Sequence, residues 1–512
     1  MNRFRNFIKK YYKSFFRFLL IAILIIIQIA LMFALYYVLK HNVVIVYVAI
    51  EILSFIVILE LMGEDRNSAH KIYWMCILFA LPIVGHIMFD LWGKESAHKK
   101  EHARINGILT SINSHQVDNK EYIYELYKEN RSKGKISSYL HKRGYPMYKN
   151  TEMKYFHVGE AAFEDIKIEL MKAEKFIFMS FFTIEDGKAW DDIKEQLYEK
   201  AKNGVEIKII FDDAGSAFKI SDHTIEELKK NGIEVLRFNS IENKAHKLFM
   251  NYRDHQRIII IDGNISYIGG VTIADSWVNI NENKMRYKGV ALKCIGDAVY
   301  SITLIFLGMW ATSYGEMDVE KYKPTVRIKN NNYCQPFADG PSNYPADVAR
   351  DLYIHMINEA DSFIYFMTSY LILDDTVRDM LVLAARSGVD VRIIVPGVTD
   401  RKIMKLVTES NYGHLLENGV KIYECNSGFM HAKMCVNDYS AFVGTVNMDF
   451  RSFFINYECG VWTCDIKMVA ELMRDYVDTL SECEELSFEN WKNRPRSKKI
   501  KQSILQLIKT HL

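Results

Sequence analysis

Two stretches of the chain repeat one order of residues: a histidine, a cation two positions later and an aspartate five positions after the cation. They are RDHQRIIIID at 253–262, with His255, Arg257 and Asp262, and FMHAKMCVND at 429–438, with His431, Lys433 and Asp438. On a strand, residues two apart point to the same face, so each histidine and its cation would face the same way. A cation binds the oxygens of a phosphate, and a histidine can attack phosphorus or transfer a proton near neutral pH. The aspartate can orient the imidazole ring.

The repetition itself favours a catalytic role. A single histidine two positions before a lysine is most simply explained as two polar residues on a solvent-exposed strand face. The same motif at the same point of two repeats is not explained in that way. Two such sets can meet across a pseudo-twofold axis. One histidine would then attack phosphorus and form a phosphohistidine, while the other would protonate the leaving alcohol.

The chain beyond residue 150 is internally duplicated, because three blocks recur in the same order. AKNGVEIKIIFD (201–212) matches ARSGVDVRIIVP (385–396), KNGIEVLRFN (230–239) matches ENGVKIYECN (417–426), and HQRIIIIDGNISYIGG (255–270) matches HAKMCVNDYSAFVGT (431–445). A repeat of this length indicates duplicated domains rather than a solenoid.

The elements that must position the histidines follow from local patterns. IKIIF and VRIIV are short β-branched runs, as expected of buried strands, and each follows a helical pattern that ends at Gly204 or Gly388. Strand alternating with helix predicts an α/β sheet in each half. We therefore predict an α/β fold of two tandem α/β/α domains, 151–325 and 326–490, forming a pseudo-twofold pair.

The first 95 residues contain three long apolar runs, 18–39, 43–62 and 73–93, which predict transmembrane helices ahead of the α/β domains. Buried core helices are the alternative. The basic N-terminus favours a cytoplasmic start, and the lysines after the third run favour a cytoplasmic catalytic domain. Both hold only if one run does not fully cross; the third run, with Pro82 and Gly85, is one candidate, and the second run, with Glu51, is another. The expected location is the cell membrane, with several passes.

Two further segments flank the predicted domains. Residues 96–150 are mixed and polar, and we interpret them as a connector with short helices. Residues 491–512 form a basic tail with apolar residues at helical spacing: Ile500, Ile504, Leu507 and Ile508. An amphipathic helix lying on anionic lipid and a terminal helix packed on the domain both fit this pattern.

The composition of the 512 residues excludes several classes of protein. The net charge is +2, which gives no general signal for a polyanionic partner. The eight cysteines form no CxxC pair and no cluster with zinc spacing, so neither a zinc site nor a disulfide framework is predicted. No basic groove interleaved with aromatic residues indicates nucleic-acid binding.

With the motifs in place, the sequence resembles the phospholipase D superfamily, and specifically the bacterial cardiolipin synthases, over nearly its whole length. His-x-Lys-x4-Asp is complete in the second half, and GTVNMDFRSFFINYE (444–458) resembles the Gly-Thr-x-Asn, Arg-Ser and Asn-x-Glu segments of that family. The resemblance implies supporting or phosphate-binding roles for four further residues. These are Thr272, Asn447, Ser452 and Glu458.

The resemblance also implies a reaction: two phosphatidylglycerol molecules give cardiolipin and glycerol. His255 would be the nucleophile and His431 the acid and base, with no metal and no cofactor, since histidines and cations supply nucleophile and charge stabilisation. The expected partners are phosphatidylglycerol and cardiolipin in the membrane, without nucleic acid. The sequence leaves a homo-oligomer open.

The first half departs from the family pattern at three positions. Arg257 stands where the family has lysine, Thr272 where it has asparagine, and Gly289 where an aspartate is expected. An arginine still binds phosphate, but its planar head needs a different pocket. Two alternatives therefore stay open: another phosphatidyltransferase or phosphodiesterase of the superfamily with altered substrate, and a catalytically weak lipid-binding homologue.

Overall fold

The computed structural model describes most of the chain, in two units that are taken separately below. The described residues are 26, 30, 37, 43–64, 67–94, 99–240, 252–280, 285–315, 317–342, 347–399 and 401–511. Unit 1 comprises residues 1–100 and 507–512, and unit 2 comprises residues 101–506.

Unit 1 contains one helix that is long and apolar enough to cross a membrane among the described residues, Val44–Gly63. The third predicted span is broken at Pro82 into short helices, of which the longest has 13 residues. Such a helix measures about 20 Å, too short for a hydrocarbon core of about 30 Å. Of the first predicted span, 18–39, all but three residues lie outside the described ones. The described elements are α1 (Val43–Gly63), α2 (Ser68–Ala80), α3 (Val84–Met88) and a π-helical turn (Phe89–Gly93).

The first sheet of unit 2 has seven strands in the order β1-β9-β7-β6-β2-β3-β4. Strands β2, β3 and β4, at one side of this sheet, are parallel to one another, as expected of strands that alternate with helices. The strands are β1 (Thr151–Phe156), β2 (Phe176–Phe181), β3 (Glu206–Asp212), β4 (Glu234–Phe238), β6 (Ile258–Ile261), β7 (Ile265–Gly269) and β9 (Ala291–Gly296); β5 (Arg253–Asp254) and β8 (Tyr287–Lys288) leave the sheet.

The second sheet repeats this order as β10-β19-β17-β16-β11-β13-β14, with β20 added at the edge. The equal order confirms the duplication seen in the sequence. Its strands are β10 (Cys334–Asp339), β11 (Phe363–Met367), β13 (Asp390–Pro396), β14 (Lys421–Cys425), β16 (Met434–Asn437), β17 (Ala441–Gly444), β19 (Asn456–Thr463) and β20 (Cys483–Glu485). The short strands are β12 (Leu371–Ile372), β15 (Phe429–Met430) and β18 (Met448–Asp449).

Helices surround the sheets, and the two helix ends predicted from glycines are confirmed: Gly204 has φ of 84° and Gly388 has φ of 95°, just after a helix end. The helices are α4 (Lys99–Asn113), α5 (Lys120–Glu129), α6 (Arg131–Lys142), α7 (Gly159–Leu170), α8 (Lys188–Lys202), α9 (Asp222–Lys230), α10 (Val299–Tyr314), α11 (Val348–Asn358), α12 (Asp375–Arg386), α13 (Lys402–Ser410), α14 (Tyr412–Glu417), α15 (Phe450–Phe454), α16 (Ile466–Leu480), α17 (Phe488–Lys492) and α18 (Arg496–Leu507); 3-10 turns are Glu320–Tyr322 and Lys509–His511.

Helix α10 lies at the centre of unit 2, because it packs against β2, β6, β7 and β9 of the first sheet and against β10 of the second. Its residues from Val299 to Thr312 are all buried. A helix that is apolar on all sides is buried in a core or spans a membrane, and here the core of unit 2 covers it. The two halves thus share a hydrophobic core around α10, and a second core cluster belongs to the first half.

Helix α18 docks through its polar side. The buried Gln502 donates a hydrogen bond to a carboxylate oxygen of Glu409 (3.3 Å), and Lys498 forms an ion pair with Glu409 at 2.6 Å. On the opposite side, Ile500 and Ile504 are 61% and 58% exposed. The predicted apolar stripe is therefore present, but it points away from the domain.

Candidate active site

Two pairs of short strands cross between the halves, and the first places His255. Strand β5 runs parallel to β19, and the backbone N–H of His255 donates to the carbonyl of Tyr457 at 2.9 Å. This register brings His255 beside Glu458, the next residue of the other half. The ring Nδ1 of His255 lies 2.8 Å from Oε1 of Glu458 and 2.9 Å from Oε2. A carboxylate of the second half therefore orients the histidine of the first.

The second crossing pair places His431 in the same way. Strand β15 runs parallel to β8, and the backbone N–H of His431 donates to the carbonyl of Lys288 at 2.9 Å. The next residue of the facing strand is Gly289, which has no side chain to offer. The ring Nδ1 of His431 instead lies 3.0 Å from the carbonyl oxygen of Gly270. The two histidines thus have equivalent backbones and unequal partners.

The two cations lie with the histidines and use uncharged partners. The ammonium group of Lys433 donates to Oγ of Ser369 (2.7 Å) and to the carbonyl of His431 (2.8 Å). Arg257 donates from Nη1 to the carbonyl of His255 (3.3 Å) and from Nε to Oγ1 of Thr272 (2.8 Å). In each half the cation therefore donates one hydrogen bond to the backbone carbonyl of its own histidine and another to a side-chain hydroxyl, that of Thr272 or Ser369.

The electrostatics show that the four side chains form one site. Burial lowers the pKa of His255 and of His431 well below the ordinary value, and the charges of Arg257 and Lys433 lower the pKa of both further. Burial also lowers the pKa of Lys433, and that of Arg257 to about 10. Burial raises the pKa of Glu458 to about 8. Excess positive charge enclosed in a buried site is the arrangement that an anionic ligand stabilises.

The two aspartates of the motifs lie elsewhere, which corrects the expectation that they orient the rings. The carboxylate of Asp262 accepts backbone N–H groups just before β2, from Glu174, Lys175 and Phe176, at 2.7–2.9 Å. The carboxylate of Asp438 accepts the equivalent groups just before β11, from Asp361, Ser362 and Phe363, at 2.9–3.3 Å. Both aspartates therefore hold the start of a central strand, and Glu458 contacts the ring.

The supporting residues named from the sequence surround Glu458 and its turn. Thr445 donates from Oγ1 to Oε2 of Glu458 at 2.5 Å, and Asn456 donates to Oε1 at 3.2 Å. The hydroxyl of Ser452 accepts the backbone N–H of Asn447 at 3.2 Å. The side-chain oxygen of Asn447 is buried without a hydrogen-bond partner, so it is a group that a ligand can satisfy.

Several contacts at the histidines were not found from the sequence. Phe182 lies edge-on to His255 with ring centres 5.1 Å apart, and Trp277 lies edge-on to His431 with ring centres 4.1 Å apart. Ser369, the partner of Lys433, follows strand β11. Only the positions of these residues in the sequence indicated their role. Phe182 follows β2, Ser369 follows β11, and Trp277 follows the GGVTIAD segment.

In the described ranges, no group of three or more histidine, cysteine, aspartate or glutamate side chains is placed to hold a metal ion.

Comparison with known proteins agrees with this geometry. The family profile described as "Cardiolipin synthase, PLD-like domain" matches residues 166–293 and 353–479. An uncharacterized protein of Streptococcus mutans is 32% identical, covering 83% of this chain and 93% of its own. The cardiolipin synthase of Alkalihalophilus pseudofirmus is 30% identical, covering 87% of this chain and 89% of its own, and cardiolipin synthase 1 of Staphylococcus aureus is 29% identical, covering 89% and 94%.

Among solved structures, a phosphatidylserine synthase of Haemophilus influenzae has a TM-score of 0.56. It is 13% identical to this chain, and the alignment covers 73% of this chain and 100% of that one. At this identity the likeness concerns the fold of the duplicated α/β domains.

Proposed function

The chain belongs to the cardiolipin synthases of the phospholipase D superfamily, and on that premise we propose that it joins two phosphatidylglycerol molecules into cardiolipin and glycerol. The observation that carries the proposal is the composite site, in which two histidines and two buried cations from both halves lie together around a histidine–carboxylate pair. Such a site suits transfer of a phosphodiester through a phosphohistidine.

In the first step His255 acts as the nucleophile. With Glu458 ionised, Nδ1–H donates to it and the lone pair of the ring lies on Nε2. In the empty site Nη2 of Arg257 lies 3.3 Å from this Nε2, so the guanidinium must turn to the phosphate oxygens as phosphorus approaches. As the N–P bond forms, the bond from phosphorus to the glycerol head group breaks, and His431 gives its proton to the leaving oxygen. Glycerol departs, and the phosphatidyl group remains on His255.

In the second step the free hydroxyl of another phosphatidylglycerol attacks the phosphohistidine. His431, now neutral, takes the proton of that hydroxyl while the N–P bond breaks, and cardiolipin is released. Both histidines return to their starting states, so the cycle needs no other reactant.

The cations support this assignment. Lys433 and Arg257 are the positive groups nearest the histidines, and a phosphodiester anion between them offsets their buried charge. The bound anion also favours the protonated form of His431, as the first step requires. Because the pKa of His255 in the empty site is low, the neutral nucleophile persists into mildly acidic solution, and kcat/KM falls only as the pH drops through that lowered pKa.

The proposed substrates are membrane lipids, and two features suit a membrane enzyme. Helix Val44–Gly63 is long enough to span a bilayer. The exposed stripe of Ile500 and Ile504 on α18 is flanked by Lys499 and Lys501, as in helices that lie on anionic lipid. We therefore propose attachment to the cell membrane, with α18 on its surface and the site on the cytoplasmic side.

The proposal is tested with purified full-length protein in vesicles of labelled phosphatidylglycerol. We expect cardiolipin and glycerol in equal amounts, losses of about 10²- to 10⁴-fold for His255→Ala and His431→Ala, and full activity for His223→Ala, whose side chain is 80% exposed. After an acid-free quench, mass spectrometry should find the phosphatidyl group on the peptide that contains His255.

Three results would contradict the proposal in different ways. Phosphatidic acid with glycerol, and no cardiolipin, would identify a phosphodiesterase that uses water. An adduct on His431 would reverse the two roles. No product of either kind would leave only a lipid-binding homologue.

A further inference from the structure

The two halves hold their histidines by equivalent strands but not by equivalent side chains. Gly444 of β17 pairs with Gly460 of β19, and Gly269 of β7 pairs with Ala291 of β9. Two residues before Gly460 on β19 is Glu458, and two residues before Ala291 on β9 is Gly289. Gly289 therefore occupies the position equivalent to Glu458. The carboxylate that orients His255 therefore has no counterpart at His431.

Aromatic rings occupy the space around His431 instead. Trp277 meets the imidazole at a ring-centre distance of 4.1 Å and an angle of 86°, and Phe429 lies beside it at 5.9 Å and 29°. Tyr287 links these two rings, 5.1 Å from Trp277 and 5.3 Å from Phe429. We call Trp277, Tyr287 and Phe429 the aromatic cage. The cage and the carbonyl of Gly270 together fix the position and the hydrogen bonding of His431.

The cage also reaches the substituted cation of the first half. The guanidinium carbon of Arg257 lies 5.8 Å from the centre of the Trp277 ring, within the range of a cation–π contact. Trp277 therefore contacts Arg257, one of the three positions that depart from the family pattern, as well as His431, which has no carboxylate partner.

A cage and a carboxylate differ in what they do to a proton. A carboxylate binds the imidazolium strongly and so makes it a weaker acid, whereas ring faces orient the imidazole and stabilise its cation only modestly. A histidine held by rings gives up its proton more readily to a leaving alcohol. A histidine held by a carboxylate is the better nucleophile, which matches the roles proposed above.

We propose that Trp277 is the positioning residue of His431, and that the aromatic cage replaces the carboxylate absent at position 289 and sets His431 as the general acid of the first step. This inference rests on the proposed function, because it names what orients one of the two histidines in that reaction.

The test compares two substrates that differ only in the leaving group. Phosphatidylglycerol releases an alcohol that must be protonated, while a phosphatidyl ester of p-nitrophenol releases a phenolate that leaves without a proton. For Trp277→Leu we expect kcat on phosphatidylglycerol to fall roughly 30- to 100-fold with little change in KM, because the acid is misplaced. The rate constant for release of nitrophenolate in the first turnover should fall less than about threefold.

Two further variants separate the ring from its bulk. Trp277→Phe keeps an aromatic face and should recover most of the lost kcat. Phe182→Leu removes the ring 5.1 Å from His255, but Glu458 still orients that histidine, so its loss should be several times smaller than that of Trp277→Leu. The amplitude of the nitrophenolate burst gives the concentration of folded active sites in every sample, and kcat is calculated from that concentration.

A carboxylate introduced at position 289 tests the role of the cage independently of the substrate comparison. A Cβ at Gly289 would meet its nearest heavy atom, the carbonyl oxygen of Gly270, at 3.5 Å, so a side chain fits there. In the Trp277→Leu background, Gly289→Glu should recover about tenfold in kcat. Because the carboxylate stabilises protonated His431, the basic limb of the pH profile should also move to higher pH.

The outcomes are distinguishable. Equal losses on the two substrates, or no loss for Trp277→Leu, would overturn the inference and leave the proposed function standing. No rescue and no shift of the basic limb by Gly289→Glu would overturn it as well. A wild-type protein that releases neither glycerol nor nitrophenolate would overturn the proposed function and this inference with it.

Discussion

At the scale of single residues, Arg257 and Thr272 form one exchange rather than two. The guanidinium Nε donates to the Thr272 hydroxyl at 2.8 Å, while Nη1 reaches the carbonyl of His255. Lys433 makes the equivalent two bonds, to Ser369 and to the carbonyl of His431, from a single nitrogen, whereas the guanidinium makes them from two nitrogens held in one plane, so its hydroxyl partner must lie in a different place. The arginine and the threonine are therefore suited to each other.

This pairing predicts non-additive kinetics. Arg257→Lys and Thr272→Asn should each lower kcat/KM by about tenfold, because each leaves the other member of the pair without its hydrogen bond. The double variant restores the residue types expected from the family and should lose clearly less than the product of the single losses, by roughly 1 kcal/mol of coupling. Steady-state kinetics of the four proteins measure this term, and simply multiplied losses would show that the two positions act independently.

The histidines and cations were predictable from their spacing, since residues two apart on a strand share a face. The expected role of the aspartates was wrong, because the strand between each histidine and its aspartate separates their side chains. Asp262 comes seven residues after His255, and an extended chain of that length covers roughly 20 Å, so its carboxylate lies at the far end of the strand. The carboxylate that contacts His255 is Glu458, which is 203 residues away and reaches it only through the crossing strands.

At the scale of elements, the motif aspartates act as clamps on the starts of β2 and β11. Asp438 binds three successive backbone N–H groups ahead of β11. Burial alone would raise the pKa of Asp438, but these hydrogen bonds outweigh it and lower the pKa below the ordinary value. Its contribution to stability is therefore present above the pKa of the unfolded chain, about 3.9, and is lost as the pH falls through the lower pKa of the folded protein.

The clamp predicts a loss of stability without a loss of chemistry. Asp438→Asn should lower the free energy of unfolding by about 1–3 kcal/mol at neutral pH, because an amide accepts these N–H groups less well than a carboxylate. Urea unfolding measures the change, and kcat below the melting temperature should stay within about threefold of wild type. A large fall in kcat at unchanged stability would place Asp438 in the chemistry instead. Asp361→Asn, whose backbone but not carboxylate meets the clamp, is the control.

Helix α18 shows what an apolar pattern can and cannot predict. The helical spacing of Ile500 and Ile504 correctly indicated a stripe, but the stripe alone does not say which side meets the domain. That choice is made by Gln502 and Lys498, which bind Glu409 and turn the isoleucines outward. Glu409 lies in a distant helix, so its role could not be seen in the tail sequence.

The outward stripe predicts a defect that appears only at a lipid surface. Ile500→Ser with Ile504→Ser should leave the melting temperature unchanged, since both side chains are mostly exposed. The same variant should lower turnover several-fold on vesicles, and have little effect on short-chain phosphatidylglycerol in dispersed form, because burial of two isoleucines at a bilayer contributes about 3 kcal/mol or more. Substituting the exposed Ile466 on α16 by serine controls for general loss of surface apolarity. Equal effects on both substrate forms would argue against a surface role for α18.

At the scale of the whole molecule, the buried cations couple the site to folding. Lys433 is fully buried with uncharged hydrogen-bond partners, and Arg257 is 3% exposed beside it. Burial and the charge of Arg257 lower the pKa of Lys433, and the nearby carboxyl groups of Glu458 and Asp449 oppose this. Among the described residues, neither cation has a carboxylate as a hydrogen-bond partner. Burial of such charges lowers the stability of the empty protein, and an anion in the site offsets this loss. The shared core around α10 passes this gain to both halves.

Inorganic phosphate should therefore raise the melting temperature by a few degrees, since a ligand at 100 times its Kd adds about 2.7 kcal/mol. Sodium chloride of equal ionic strength should not. Lys433→Met should abolish the phosphate-dependent shift without lowering the melting temperature of the empty protein, because it removes an unneutralised buried charge. Lys172→Met, at a side chain 62% exposed, should keep the shift. A shift of equal size in Lys433→Met would place phosphate binding elsewhere.

The crossing strands also bear on how a duplicated protein diverges. Each histidine is completed by a residue from the opposite copy, so a substitution at position 289 acts on His431 and one at position 458 acts on His255. Neither half alone contains a complete site, yet substitutions in one half at these positions affect the surroundings of the histidine in the other half. A symmetric ancestor could begin its reaction from either side. Under the roles proposed for the two histidines, glutamate at 458 and glycine at 289 give the reaction one direction: the side of His255 receives the lipid that is cut, and the side of His431 donates the proton.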